Sequence, residues 1–262
     1  MIPARRLVPL GAPTRHPWPE RDPAVAELAA DERATVAAIW HGRAEAELRA
    51  SGSFAYIADT LAAAGAHGDL VALARRAVSD EVRHSELCAR VAAAYADTPL
   101  PAPRKLEVTI PRHAGANRAL RRVLHVVGMS CFNETIGSAF LELCRERATG
   151  ALVRAALREL LTDEIDHARI GWAFVASLEG PARIALGHWL PELCELNLRA
   201  WRDRPQRPIS EALAAHGCPR WDDVDATVLA AIAELVLPGF ARLGVDVAPA
   251  QRWLATAATL AA

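Results

Sequence analysis

The amino-acid sequence predicts an all-α fold: a four-helix bundle whose second and third helices are joined by a long crossover, with additional helices after it. Three observations point there. Apolar residues recur at three- and four-residue steps along four long stretches of the 262-residue chain. Glycines close two connections tightly, whereas the one between them, residues 97–116, holds four prolines. Finally, Ser79-Asp80-Glu81-Val82-Arg83-His84 on the second stretch is echoed by Thr162-Asp163-Glu164-Ile165-Asp166-His167 on the fourth.

In chain order, residues 1–23 carry six prolines and read as part of an irregular arm over residues 1–30, lying on the surface away from any site. The first helix spans about residues 31–64, with Val36, Trp40, Ala44, Glu47, Ser51, Phe54, Ala58 and Leu61 on one stripe. Gly65 and Gly68 end it, and Asp69 is the expected N-cap of a second helix that closes near residue 96. Residues 117–148 form the third helix, with Val127, Ser130, Glu134, Leu141 and Cys144 near one face. The fourth follows Gly150, with Val153, Leu157, Leu160, Glu164, His167, Gly171 and Phe174 aligned. Residues 31–180 thus make the bundle, and 181–262 form further helices expected to pack on it, one of them opened by Pro181. Two tight hairpins joined by one crossover distinguish this connectivity from a simple up-down bundle.

A net charge of -1 and 52% hydrophobic residues suit a soluble domain, and the scattered arginines give no nucleic-acid stripe. The longest apolar run, residues 226–240, is interrupted by Glu234 and falls short of the roughly 20 residues of a membrane span. Cys88, Cys131, Cys144, Cys194 and Cys218 contain no C-x-x-C pair, so reduced thiols in the cytoplasm are expected.

The repeated segment carries the chemistry. A Glu and a His three residues apart share a helical face, so a carboxylate oxygen and an imidazole nitrogen reach one metal ion. Both segments lie on apolar stripes, where ionised side chains are costly unless they ligate or pair. The remaining carboxylates should come from the first and third helices at matching depth. Glu134 lies sixteen residues before Gly150 and Glu164 fourteen after it. On the first helix Glu47 shares the inward stripe, whereas Glu45 shares a face with His41 and Arg49. The candidate metal ligands are therefore Glu47, Glu81, His84, Glu134, Glu164 and His167, a set suited to two first-row metals, iron above all, with Mn/Fe as the other pairing. Asp80 and Asp163 are expected behind the imidazoles, Asp80 toward His167 and Asp163 toward His84. Ser51, Gly137 and Gly171, each one turn from a ligand, would leave room beside the metals.

On these residues the chain resembles the ferritin-like diiron carboxylate superfamily over residues 32–180, in the order Glu, Glu-x-x-His, Glu, Glu-x-x-His. The stretch DEVRH at 80–84 is also similar to the D-E-x-R-H motif of bacterial multicomponent monooxygenases, with Asp166 in place of the Arg in the second copy. Cys88 stands where ribonucleotide reductase small subunits carry a radical tyrosine, and Leu160 where arylamine N-oxygenases carry a third histidine. The 53-residue step from Glu81 to Glu134 is closer to acyl-carrier desaturases and small diiron oxygenases. The resemblance implies a non-haem diiron oxygenase or oxidase that uses O2 on a small organic substrate, with an external electron donor and with homodimerisation an open option. The alternative is a ferroxidase or iron-handling protein. The other histidines show no paired spacing and read as surface or ordinary polar contacts, and the tryptophans as packing anchors.

Overall fold

The computed structural model describes residues 14–19, 22–105, 107–203 and 208–259, so residues 1–13, 20 and 21 of the proline-rich arm lie outside the described residues. The described chain is helical, with no strand. After a short turn of helix, α1 (Ala24–Glu27), the long helices α2 (Ala30–Ala63) and α3 (Gly68–Tyr95) form a hairpin with extensive mutual packing. The turn is a complete Schellman motif: Gly65 is left-handed at φ +69°, Ala66 N–H donates to Leu61 C=O, and Gly65 N–H donates to Ala62 C=O. The helix after it begins earlier than expected. Its N-cap is His67, whose Nδ1 accepts from Asp69 N–H, because Gly68 and Asp69 already belong to the first turn.

The crossover carries no strand despite its β-branched piece at 108–110. Asn117 then caps α4 (Arg118–Val126), its side chain accepting from Leu120 N–H at 2.9 Å. The helix continues through a π segment, Val127–Asn133, into α5 (Glu134–Arg147). Periodicity reads this stretch as one regular helix, but the chain inserts a wider turn immediately before Glu134, a feature common at functional sites. After a short turn comes α6 (Ala151–Ser177), whose first turn is satisfied from a distance: Leu152 N–H donates to the Asp22 carboxylate at 2.9 Å. A Cβ on Gly150 would stand 2.8 Å from that carboxylate, which explains the glycine.

Helix α6 packs on both α3 and α5, so the two hairpins meet along it. Between them lie two apolar layers. One contains Trp40, Ala44, Leu87, Cys88, Leu157 and Leu160, the other Phe54, Ile57, Ala77, Ile170 and Phe174. The side chains of Glu81, His84, Glu164 and His167 occupy the level between these layers.

Beyond the hairpins, α7 (Gly180–Gly187), α8 (Leu190–Arg202), a 3-10 turn (Glu211–His216), α9 (Trp221–Ala231), a π segment (Ile232–Val236), α10 (Leu237–Arg242) and α11 (Ala248–Thr259) follow. They build a third apolar cluster against the outer side of α4–α5. Phe240 stacks 4.9 Å from Trp172 and 5.6 Å from Phe132, and Gly239 lets the Trp172 ring approach where a Cβ would meet it at 2.7 Å. The continuous helix Trp221–Arg242 is longer than its apolar run at 226–240, since the π turn admits Pro238 without ending it, and by length and composition it could cross a membrane. Here Val224, Val228, Ile232, Val236 and Phe240 are buried in the third cluster.

Gly171 and Gly137 separate two meanings of a small residue. A Cβ on Gly171 would lie 2.7 Å from both Ser130 Cβ and Cys131 Sγ and 2.8 Å from the Cys131 backbone nitrogen, whereas Gly137 has nothing within 4 Å. Gly171 therefore serves helix packing against the π segment and opens no space. We predict that Gly171→Ala lowers unfolding stability by about 1–3 kcal/mol through overpacking, while Gly137→Ala raises it by up to about 1 kcal/mol through helix propensity. Urea titrations of the two variants measure the difference; equal effects would contradict the packing.

Candidate metal centre

Each Glu-x-x-His segment turns its two ligands to the same side of its helix, and α3 and α6 bring the two segments face to face. Glu81, His84, Glu134, Glu164 and His167 are all buried to within a few per cent of complete exclusion. Glu134 arrives from the first turn of α5, just beyond the π segment, and Glu47 from the middle of α2. Two four-residue clusters result. Glu47, Glu81, His84 and Glu164 each present a ligand atom within 4.8 Å of the others, and so do Glu81, Glu134, Glu164 and His167. Each cluster could hold a metal ion. Glu81 and Glu164 belong to both clusters, whereas Glu47 and Glu134 each belong to one. Glu45, the other carboxylate on that stretch of α2, instead accepts from Arg104 Nε at 3.0 Å.

The imidazoles aim the same way in both halves. His84 Nδ1 lies 3.4 Å from Glu164 Oε1 and 3.6 Å from Glu81 Oε2, and His167 Nδ1 lies 3.0 Å from Glu81 Oε1 and 3.5 Å from Glu164 Oε2. Both Glu81 oxygens, Glu164 Oε2 and both Nδ1 atoms are buried without a hydrogen-bond partner. Buried polar atoms are ordinarily satisfied. This many orphans, all lone-pair donors converging on one space, is the pattern expected of ligand atoms whose partner is a cation.

Charge balance within the cluster supports the same reading. Burial, with Glu81 next to it, holds Glu47 well above the ordinary carboxylate range, and burial with Glu164 does the same to Glu134. For Glu81 and Glu164 burial also pushes upward, but the positive imidazoles of His167 and His84 facing them outweigh it and hold both below the ordinary carboxylate range. The imidazoles move the other way: burial disfavours their charged form, yet the facing carboxylates raise both well above the usual histidine value. Both imidazoles and both outer glutamates are thus pushed toward their protonated forms, the direction expected of a carboxylate-rich cluster that needs positive charge.

Behind each imidazole is an aspartate. Asp163 Oδ2 is 3.2 Å from His84 Nε2, and Asp80 Oδ2 is 3.5 Å from His167 Nε2. The two aspartates are held differently. Asp163 is gripped by the buried Arg83 from α3 and by Arg15 of the arm at 2.6 Å; although burial opposes it, bonds from His84 and Arg15 keep its acid at about 2. Arg83 also donates to the fully buried Glu159 at 2.8 Å, and Glu159 accepts from His16 N–H at 2.7 Å. Asp80 instead meets Arg76, one turn earlier on its own helix at 3.5 Å, and Arg76 also pairs with Asp166. Arg83 in one copy of the segment and Asp166 in the other therefore play opposite parts. The arm is part of this arrangement: Arg15 and His16 reach the carboxylates that back the site, and Asp22 caps α6.

Glu47, Glu134 and Glu164 also line a cavity of about 880 Å³ between α2, α4–α5, α8 and the crossover. Its wall includes Gly137, Leu141, Phe140, His113 and His125. Of the remaining histidines, expected at the surface or in ordinary polar contacts, His113, His125 and His216 are buried, with His113 beside Glu192 and His216 beside Tyr95. His125 is pushed down to about 4, chiefly by burial and then by His113, and its Nε2 has no partner. His113, left-handed at φ +43°, contacts Glu192 at 3.0 Å. Of the three small residues expected to make room, only Gly137 lines this cavity; Ser51 donates to Val78 C=O at 3.1 Å, inside the α2–α3 contact. Cys88, Cys131 and Leu160 are buried in apolar clusters, and Trp40 packs there too while its Nε1 donates to His216 C=O at 3.0 Å.

No family model, curated protein or solved structure matches the chain.

Metal binding requires deprotonated ligands. Because Glu47, Glu134 and both imidazoles are all shifted toward their protonated forms, loading should release protons, and affinity should fall as pH decreases. Calorimetry in buffers of different ionisation enthalpy measures the release, and loading with none would contradict the charge assignment. Asp163→Asn should weaken metal binding about 10–100-fold, whereas Glu45→Ala should leave it unchanged.

Proposed function

We propose that this chain is an O2-dependent oxidoreductase of the ferritin-like diiron carboxylate type, acting on a small organic substrate held in the cavity beside Glu47, Glu134 and Glu164. The single observation that carries this reading is the coincidence of the two ligand clusters with that cavity. Its volume lies in the range of small-molecule sites, which is more space than the passage of a bare ion requires. The α2–α3 and α5–α6 hairpins joined by a long crossover support the ferritin-like assignment.

Glu47, Glu81, His84 and Glu164 would hold one metal and Glu81, Glu134, Glu164 and His167 the other. Two iron ions, or manganese with iron, would supply the redox chemistry there: four-electron reduction of dioxygen, with two electrons from a C–H or N–H bond of the substrate and two from an external donor. The protein's share is positioning. Asp163 and Asp80 hold the Nε2 sides of the imidazoles so that Nδ1 faces the shared carboxylates. The apolar layers on either side exclude water from the level of the glutamates, and the cavity admits a substrate along their open flank.

Anaerobic loading with Fe(II), followed by O2 uptake in the presence of a panel of organic compounds, tests the reading. We expect uptake to accelerate about tenfold or more with at least one compound and to yield its oxidised product. Continued Fe(II) oxidation beyond two ions per chain, indifferent to every compound, would overturn it in favour of iron handling.

A further inference from the structure

The cavity wall contains a cation that no carboxylate among the described residues neutralises. Arg43 lies one turn before Glu47 on α2 and lines the same cavity. Its guanidinium is sandwiched between two rings, 4.5 Å from the centroid of Trp40 and 4.9 Å from that of Phe140. Nη2 donates to Gly217 C=O at 2.7 Å and reaches Cys144 Sγ at 3.7 Å. Nη1 is buried with no partner. Among the described residues no carboxylate pairs with this arginine. Its strongest electrostatic neighbours are the thiols of Cys144, Cys218 and Cys88, all raised by burial and so neutral at physiological pH.

A half-buried guanidinium with one nitrogen buried and unpartnered is costly unless something pairs it. By contrast the buried Arg83 has Glu159 and Asp163 as partners, and the imidazoles of His84 and His167 face carboxylates. Arg43 is fixed by stacking and by one carbonyl while its remaining nitrogen stays uncommitted, the arrangement of a preorganised anion site. The neighbouring cavity wall is apolar, with Ile39, Leu141 and Phe140 beside it. One helical turn, about 6 Å, separates Arg43 from Glu47 along α2.

We propose that Arg43 anchors the carboxylate of an organic acid whose apolar body lies along the cavity toward Glu47 and Glu134. Arg43 selects the substrate class, and the distance of one turn sets which part of the molecule lies beside the glutamates. His125, on the far side of Glu134 along α4–α5, is neutral and does not compete for the acid group; its Nε2 suits a polar group at the opposite end. The substrate assignment rests on the oxygenase reading, whereas the binding of an acid at Arg43 does not, so the two can fail separately.

The test uses metal-free full-length protein and matched pairs of probes, 4-phenylbutyrate against 4-phenylbutanamide and octanoate against octanamide, with inorganic phosphate as a further anion. Calorimetry should show at least one acid binding about tenfold or more tightly than its amide. Arg43→Gln should abolish that preference, Arg43→Lys should keep part of it, and neither should change the metal content reached on loading. Circular dichroism of both variants separates loss of the anchor from loss of fold, and if Arg43→Gln does not fold, Arg43→Lys with a preference equal to wild type decides against the proposal. No preference in either pair, including no binding at all, or a preference unaffected by Arg43→Gln, would overturn it. Phosphate binding as tightly as the acids would overturn the carboxylate assignment.

Discussion

The structure turns on one electrostatic constraint: four carboxylates and two imidazoles share a largely buried space, open only along the cavity flank of Glu47, Glu134 and Glu164. Such a cluster persists only if positive charge is present within it, as protons or as metal ions. Everything around the cluster serves that condition. Apolar layers led by Trp40 and Leu160 on one side and by Phe54 and Ile170 on the other keep the dielectric low. The aspartates set the imidazoles, and the buried Arg83 holds one of those aspartates at the edge of the site. Low dielectric makes each of these interactions strong and makes any unmatched member costly.

The two halves of the site are related by their repeated segment but are not equivalent. The half containing His84 is backed by a closed network of Arg83, Glu159, Asp163 and Arg15. The half containing His167 is backed by Asp80 and a more exposed Arg76 shared with Asp166. Glu134 follows a π turn, while Glu47 sits in regular helix. Symmetry within the two Glu-His clusters combined with asymmetry behind them gives the two candidate metal positions different surroundings, and the cavity along Glu47, Glu134 and Glu164 adds a further distinction between open and closed flanks.

Much of this was legible in the sequence because it follows from helical period. The spacing in Glu81-x-x-His84 and Glu164-x-x-His167, the place of Glu134 relative to Gly150, and the inward stripe that prefers Glu47 to Glu45 are consequences of 3.6 residues per turn, and the structure brings those six side chains together. What escaped depends on contacts between distant segments or on departures from that period. The π segment at 127–133 leaves no mark in the apolar pattern. Glu159 reads as another charged residue until Arg83 is seen across from it, and Gly171 reads as open space until the π segment packs on it. His113, His125 and Arg43 gain meaning only from the cavity that the crossover and α8 enclose with α2 and α4.

The central claim is that these six side chains form one site for two metal ions. Anomalous diffraction from crystals of the protein loaded with Fe(II) or Mn(II) tests it most directly. The account predicts two peaks roughly 3.5–4 Å apart, one bound by His84 Nδ1 and Glu47 and the other by His167 Nδ1 and Glu134, with Glu81 and Glu164 between them. A single peak, a pair elsewhere on the chain, or fully loaded crystals with no peak at these residues would contradict it.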